Sequence, residues 1–222
     1  MKQPAVVALI PTLNEEKGVG KVISAFKSLK IPNSSILVVD GHSKDATVAI
    51  ARKMGAKVIF QKEKGKGAAL LEAVATIPDG ATVVLVDADN TYDLKNVKQM
   101  LRLVGENTIV QGRRVVTPGS MTLLNWLGNL FFNGTTILLF LHVHRDLLTG
   151  LRVFKAGTFK RLGLKAKNFE IETEMTLKAI KHGVKIIEVP VSYWEREGFT
   201  KLRPLHDGIR ILRRIIYERL NG

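Results

Sequence analysis

The sequence predicts an α/β protein built on a mostly parallel, doubly wound sheet, and three observations carry that expectation. Short runs rich in β-branched residues alternate with helical patterns, the runs are apolar throughout as strands buried on both faces are, and three of them end in polar clusters. The 222 residues are expected to form one unit, 1–222, with a first half at 1–112 and a second at 113–222.

Residues 5–10 are a continuous apolar run closed by Pro11 and read as a buried strand. A helix is expected over about 15–29, a strand over 36–39 running into Asp40, and a helix near 45–54. A short strand at 57–60 and a helix over about 67–76 come next, and the strand 82–86 then delivers Asp87. After Gly112 the pattern continues with an apolar segment, a helix near 169–182, a strand at 185–189 and a final helix over 207–220. In such sheets ligands bind beyond the carboxyl ends of the strands, which is where residues 11–15, 40–45 and 87–93 fall.

With 45% hydrophobic and 24% charged residues and no low-complexity stretch, the chain has the composition of a folded globular protein. Cysteine is absent, which excludes disulfides, zinc-thiolate sites and cysteine nucleophiles and leaves oxygen, nitrogen and a hard metal to do the chemistry. A net charge of +14 attracts anions, whether nucleic acid, acidic lipid or a phosphorylated substrate. Only 6% of the residues are aromatic and none form a run among the basic ones, so the stacking platforms of a nucleic-acid binder are missing and no nucleic-acid partner is expected. Residues 1–11 lack the apolar stretch and cleavage site of a secretory signal, so a cytoplasmic location is expected and the glycosylation matches at Asn33 and Asn133 are incidental.

The most specific local signal is Asp87-Ala88-Asp89 directly after a buried strand. Two carboxylates one residue apart can hold Mg²⁺ or Mn²⁺ and its bound diphosphate, or one can cap the next helix while the other is solvated in a turn. In Asp40-Gly41-His42-Ser43-Lys44-Asp45, Ser43 or Asp45 is expected to cap, and Asp40 can accept hydrogen bonds from a base or ribose. Residues 63–69 are small and basic but are not a Walker loop, and no Gly-x-Gly-x-x-Gly follows the first strand, which disfavours dinucleotide binding. His142 and His144 are expected to be near-surface and not metal ligands.

Together these residues resemble the family 2 glycosyltransferases of the GT-A fold, within them the dolichyl-phosphate mannose synthase-like branch, and the likeness spans nearly the whole chain. Pro11-Thr12-Leu13-Asn14-Glu15 looks like the opening Pro-x-x-Asn-Glu, residues 40–45 like Asp-Asp-Gly-Ser-x-Asp, and Gly65-Lys66-Gly67-Ala68-Ala69 like Gly-Lys-Gly-x-Ala. Asp87-Ala88-Asp89 fits the metal-binding Asp-x-Asp, Gly112-Arg113-Arg114 a Gly-Ser-Arg turn, and Thr149-Gly150-Leu151-Arg152 a Ser-Gly-Phe-Arg acceptor-side motif. Residues 188–191, Arg196 and Thr200-Lys201-Leu202 are similar to the closing Pro-Ile…Arg…Ser-Lys. Gly41 stands where the family has a second Asp, and Asn90-Thr91-Tyr92-Asp93 where mannose synthases have Leu-Gln-His-Pro.

The resemblance implies a Rossmann-like three-layer sandwich that transfers a hexose, with inversion, from a nucleotide-sugar donor to a polyprenyl or dolichyl phosphate with Mg²⁺ or Mn²⁺. GDP-mannose is the leading donor, with UDP-glucose or another UDP-sugar, or a non-lipid acceptor, as alternatives. It implies that Pro11, Leu13, Glu15 and Asp40 line the nucleoside pocket, that Asp87 faces ribose or sugar, and that Asp89 binds the metal with Asp87 beside it. Ala88 and Thr91 would complete the donor site, and Arg114, Arg196 and Lys201 would hold phosphates. Asp89, Arg114 and Arg196 would then carry catalysis, with Thr149, Gly150 and Arg152 on the acceptor side. A lipid phosphate needs no general base, whereas a hydroxyl acceptor would, with Glu170, Glu172 and Glu174 as candidates that can equally face the helix dipole. A nucleotidyltransferase would share fold class and metal but leave Arg196, Lys201 and the apolar segment unexplained.

Residues 123–143 are the most apolar of the chain, yet Asn125, Asn129 and Asn133 recur every four residues. One or two helices lying in a membrane interface (about 120–143), broken around Asn133-Gly134, are expected, or else an ordinary core pair. The last helix carries an apolar stripe of Ile209, Leu212, Ile215, Ile216 and Leu220 beside Arg210, Arg213, Arg214 and Arg219, suited to an anionic bilayer or to docking on the core. The protein is thus expected to be peripheral at the cytoplasmic face of the membrane, or anchored there by a partner protein.

Overall fold

The computed structural model describes residues 6–221; residues 1–5, among them Ala5 of the first expected strand and the start of the segment read for a leader, and Gly222 lie outside the described residues. The chain runs β1 (Val6–Thr12), α1 (Val19–Ser28), β2 (Ile36–Asp40), α2 (Thr47–Lys53), β3 (Lys57–Phe60), α3 (Lys66–Ala75) and β4 (Thr82–Leu85). It continues with α4 (Val97–Leu103), β5 (Thr108–Val116), α5 (Leu123–Phe140), β6 (Arg152–Lys155), α6 (Ala156–Arg161), α7 (Ile171–Lys181), β7 (Lys185–Tyr193) and α8 (Pro204–Leu220).

The strands form one seven-stranded sheet in the order β3-β2-β1-β4-β6-β5-β7. All neighbours are parallel except β6, which runs antiparallel between β4 and β5. Alternation along each strand divides the core into two layers, because successive side chains leave opposite faces. Ala8, Ile10, Ile36, Val38 and Val84 face the helices α1, α2 and α4, while Leu9, Leu37, Val39, Val83 and Leu85 face α3, α6 and α7. The parallel register, with Thr12 beside Asp40 and Leu9 beside Leu85, brings the carboxyl ends of β1, β2 and β4 to one edge.

Two expectations change. The first helix begins at Val19, not near Glu15. Asn14 adopts a left-handed φ of 51°, and the Glu15 N–H donates to Thr47 Oγ1 at 2.7 Å, so residues 14–16 are tied to the start of α2 instead of coiling. The apolar segment is one unbroken helix, α5, not a pair broken at Asn133-Gly134. A glycine in a helix costs only about 1 kcal/mol, and Asn133 is committed to the fold: its Nδ2 donates to Arg145 O at 2.9 Å and its Oδ1 accepts from the Leu147 N–H at 2.9 Å.

A third cluster, Phe132, Leu147, Leu177, Ile211 and Ile215, joins α5, α7 and α8. The stripe on α8 therefore splits: Ile215 docks on the body of the protein with Ile211, while Ile209, Ile216 and Leu220 stay exposed. Most of α5 is also open, with Leu123, Leu127, Leu130 and Leu138 exposed, and α5 alone among the described helices is long and apolar enough to cross a membrane.

Because Asn133 satisfies two backbone groups of the segment before β6, Asn133→Ala is expected to cost about 1–3 kcal/mol in urea unfolding. A change below about 0.5 kcal/mol would show that this clamp does not hold the loop.

Candidate active site

The edge formed by β1, β2 and β4 opens into a cavity of about 910 Å³ that extends to α5 and α8. Of the residues expected at a site, Pro11, Leu13, Glu15, Asp87, Ala88, Asp89, Arg114, Arg196 and Lys201 line it. Asp40, Thr91, Thr149, Gly150 and Arg152 lie behind its walls. Thr12, Gln61, Lys66 and Tyr92 also line it; Thr12 and Tyr92 belong to clusters expected at this edge but had no role assigned, and Gln61 and Lys66 were not expected in the site. Gln61 follows β3 and Lys66 opens α3 at the same edge, which is the signal that could have found them.

Asp87 and Asp89 differ in environment although one residue apart. Asp87 pairs with Lys66 Nζ at 2.5 Å, and the same ammonium reaches Glu172 at 2.6 Å. Burial opposes the charge on Lys66, but the two carboxylates outweigh it and hold its pKa above the ordinary lysine value. Lys66 reaches this point because Gly65, at φ 117°, sits where a Cβ would overlap the carbonyl of Lys167. Asp89 is buried; its Oδ1 accepts from the Thr91 N–H at 3.2 Å and hydroxyl at 2.8 Å, and its Oδ2 pairs with Arg196 at 2.8 Å. Burial, reinforced by the charge of Asp87, raises its pKa despite that arginine.

Arg196 also pairs with Glu15, which in turn accepts from Lys201 Nζ at 2.7 Å. Burial raises the pKa of Glu15 against the pull of both cations. Lys201 reaches Asn14 O at 2.7 Å as well, and Glu197 bonds to Lys21 at 2.6 Å and Asn90 at 2.9 Å. These contacts strap the segment between β7 and α8 across the mouth of the site.

Arg114 lies flat against Tyr193, 5.2 Å from its ring centroid, and is held by Asp146 through Nε at 2.8 Å and Nη2 at 2.6 Å. The acceptor-side motif supports the site from behind. Tyr92 Oη accepts from the Gly150 N–H at 2.7 Å, Thr149 Oγ1 donates to Gly112 O at 2.6 Å, and a Cβ on Gly150 would overlap the Asp87 carboxylate. Arg152 is fully buried and donates to Thr149 O at 3.0 Å, Leu147 O at 2.8 Å and Thr176 Oγ1 at 2.9 Å. Of the three acidic residues around the start of α7, only Glu172 reaches the cavity, and its charge is engaged by Lys66. Glu174 accepts from the Lys165 and Ala166 N–H groups at 2.9 and 2.7 Å and pairs with Lys178.

The N-cap of α2 is Ala46, not Ser43 or Asp45; Asp45 stands one residue before it and accepts from the Thr47 N–H at 3.0 Å. His144 is buried, not near the surface, with Nε2 2.6 Å from Thr136 Oγ1. No group of three His, Asp or Glu side chains forms a metal cage among the described residues. The fit is instead to a hard cation that takes one or two carboxylates from the protein and its other ligands from phosphate and water, which is how Mg²⁺ is commonly bound with nucleotides. Asp87 and Asp89 are the carboxylates that could serve it, both lining the cavity one residue apart.

Removing the Lys66 ammonium leaves two carboxylates facing each other. Lys66→Met is expected to destabilise the fold by about 3–5 kcal/mol, and adding Glu172→Gln to recover at least about 1 kcal/mol of it, as read by a double-mutant cycle in urea. Strict additivity would contradict the pairing.

Residues 7–163 match the family described as Glycosyl transferase family 2. The chain is 35% identical over 209 residues to the glycosyltransferase AglJ of Haloferax volcanii, covering 92% of this chain and 68% of that one. It is 33% identical over 214 residues to the dolichyl-phosphate hexose transferase of the same organism, covering 95% and 92%. An undecaprenyl-phosphate mannosyltransferase of Micrococcus luteus is 27% identical over 216 residues, covering 89% and 87%. Among solved structures, glucosyl-3-phosphoglycerate synthase from Mycobacterium tuberculosis, in complex with Mn²⁺, UDP-glucose and phosphoglyceric acid, superposes with a TM-score of 0.76 at 21% identity over 97% of this chain and 80% of that one. That likeness is one of fold, and it agrees with the three-layer arrangement above. With the family matched over most of its length and two relatives above 30% identity, the chain belongs to glycosyl transferase family 2 and is a glycosyltransferase.

Proposed function

We propose that this glycosyltransferase moves a hexose, with inversion, from a nucleoside diphosphate sugar to a polyprenyl phosphate, as one unit spanning residues 1–222, at the cytoplasmic face of a membrane. The observation that supports the lipid acceptor is the continuity of the cavity. Its lining brings Asp87, Asp89 and the cations Lys66, Arg114, Arg196 and Lys201 together with Leu124 and Phe131 of α5 and Ile209 and Leu212 of α8. A lining both charged and apolar suits an anion carried on a hydrocarbon tail. The two relatives named for lipid-phosphate transfer support the same reading.

In this reading Pro11 and Leu13 flank the nucleoside, and Arg196, Lys201 and Arg114 meet the phosphates, the arginines through their paired N–H groups. Asp87 and Asp89 would hold a divalent cation, which would supply charge neutralisation at the leaving diphosphate. An oxygen of the lipid phosphate attacks the anomeric carbon from the face opposite the diphosphate. The carbon–oxygen bond to the diphosphate breaks, and the nucleoside diphosphate leaves with the electron pair. The attacking oxygen is already anionic, so no side chain has to remove a proton. The engagement of Glu172 by Lys66 agrees with that. The protein contributes position and electrostatic stabilisation, the larger share of many rate enhancements.

GDP-mannose is the donor we propose first, supported by the mannosyltransferase relative. UDP-glucose is the second reading, kept because Asn90-Thr91-Tyr92-Asp93 departs from the Leu-Gln-His-Pro of mannose synthases. Tyr92 lines the cavity and its Oη accepts from the Gly150 N–H.

The membrane part rests on α5. Asn125 and Asn129 face the cavity while Leu127, Leu130 and Leu138 are open, so the helix has one side for the site and one for lipid. A Leu130→Glu/Leu138→Glu double variant is expected to lose several-fold in sedimentation with anionic vesicles while its Tm stays within about 2 °C, since both side chains are exposed. Unchanged sedimentation would remove this helix from membrane binding.

The reaction itself is tested by transfer of label from GDP-mannose, and in parallel UDP-glucose, to polyprenyl phosphate with Mn²⁺ or Mg²⁺. One donor is expected to label the lipid, and Asp89→Asn to lower the rate at least about 100-fold. Metal-dependent hydrolysis of a donor with no labelled lipid would overturn the acceptor, and no turnover or binding of either donor would overturn the reading as a whole.

A further inference from the structure

At the nucleoside end the cavity is walled by Pro11, Thr12, Leu13, Gly41 and Gln61. Asp40, the residue the sequence suggests for meeting a base, is 0% exposed and fully engaged. Its Oδ2 accepts from the hydroxyls of Thr12 at 3.0 Å and Ser43 at 2.6 Å, and its Oδ1 from the Ser43 N–H at 2.8 Å. Such a carboxylate shapes the loop, and it is not part of the cavity lining.

Gln61, the residue after β3, is in the opposite condition. Its backbone is used, with the N–H donating to Asp40 O at 3.1 Å and the carbonyl 3.0 Å from His42 Nε2. Its side-chain amide has no hydrogen-bond partner among the described residues, although the residue is only 9% exposed and lines the cavity. Its amide nitrogen and oxygen are not sealed from solvent, so they open onto the cavity, and polar groups at the wall of a chamber are the ones that can orient a ligand. Gly41 keeps the space beside it clear: a Cβ there would stand 3.5 Å from the Gln61 Cδ and Nε2 and 3.4 Å from Thr12 O. Behind it, His42 stacks on Phe60 with ring centroids 5.5 Å apart, which makes this wall rigid.

We infer that Gln61 reads the nucleobase of the donor, with Oε1 accepting a ring N–H and Nε2 donating to the adjacent carbonyl. A carboxamide presents one acceptor beside one donor, the complement of the N–H and C=O pair that uracil and guanine share. Gly41 is the residue that leaves room for the base edge to reach it. This inference rests on the nucleotide-sugar reading of the same site and adds the contact that recognises the base.

The test is calorimetric binding of UDP and of GDP, with Mn²⁺ and without acceptor, to the wild type, Gln61→Leu and Gly41→Val. Inorganic pyrophosphate serves as the ligand without a base. Leucine keeps the volume and loses both hydrogen bonds, and valine leaves the amide intact but fills the space beside it. Both variants are expected to weaken the nucleotide that the wild type prefers by about 10- to 100-fold while pyrophosphate stays within about twofold. In steady state the donor KM should rise with kcat little changed, the pattern of lost uniform binding. Wild-type affinity for the preferred nucleotide in Gln61→Leu, or an equal loss for pyrophosphate, would overturn the assignment while leaving the donor site standing. Failure of the wild type to bind UDP or GDP would overturn the donor site and this contact with it.

Discussion

The site depends on the pairing of its buried cations with its buried carboxylates. Lys66 stands between Asp87 and Glu172, Arg196 between Asp89 and Glu15, Lys201 against Glu15, and Arg114 against Asp146. Removing one partner of such a pair strands the other in a medium that solvates it poorly, so each cation holds its carboxylate in place and is held by it. Strands, loops and helices from both halves of the chain meet through these pairs. In the proposed reading a diphosphate would enter by exchange, the carboxylates turning to a cation and the arginines and lysines to the phosphates. Burial raises the pKa of Asp89 and of Glu15 against the pull of the cations beside them.

The same pairs connect donor and acceptor sides. Gly150 lies against the Asp87 carboxylate and gives its N–H to Tyr92, and Arg152 ties the carbonyls of Leu147 and Thr149 from within the core. The segment those carbonyls belong to is held by Asn133 of α5 and supplies Asp146 to Arg114. The helix with the exposed apolar face is therefore one hydrogen-bonded segment away from an arginine in the cavity. In the proposed reading, a membrane that seated α5 would act on Arg114 through this segment.

Much of the architecture is legible in the residues. Runs such as Ile36 to Val39 and Thr82 to Val86 are apolar on both faces because helices cover both sides of a parallel sheet, and their polar ends mark the ligand edge. Three features are not legible, each because it depends on a distant part of the chain. Thr149 to Arg152 read as a motif, but Arg152 opens the antiparallel strand β6 as a buried arginine satisfied by Thr149, Leu147 and Thr176. Asn133-Gly134 reads as a helix break, yet the asparagine clamps residues twelve and fourteen positions away. Asp40 sits where a ligand-binding acid belongs, but Thr12 and Ser43 already occupy it, while Gln61 at the end of a short, half-buried strand carries no pattern of its own. Local sequence reports propensity and face; which partner satisfies a polar group is decided by the fold.

The most direct test of the account is a crystal structure of the protein with Mn²⁺ and its preferred nucleoside diphosphate. The exchange predicts that Arg196 leaves Asp89 for phosphate oxygens and that the Asp89 carboxylate turns to the cation, with Lys201 moving from Glu15 to the same diphosphate. A nucleotide bound with the Arg196–Asp89 and Lys201–Glu15 pairs intact would contradict it, because the cations on which the site is built would then be structural and not the ones that receive the donor.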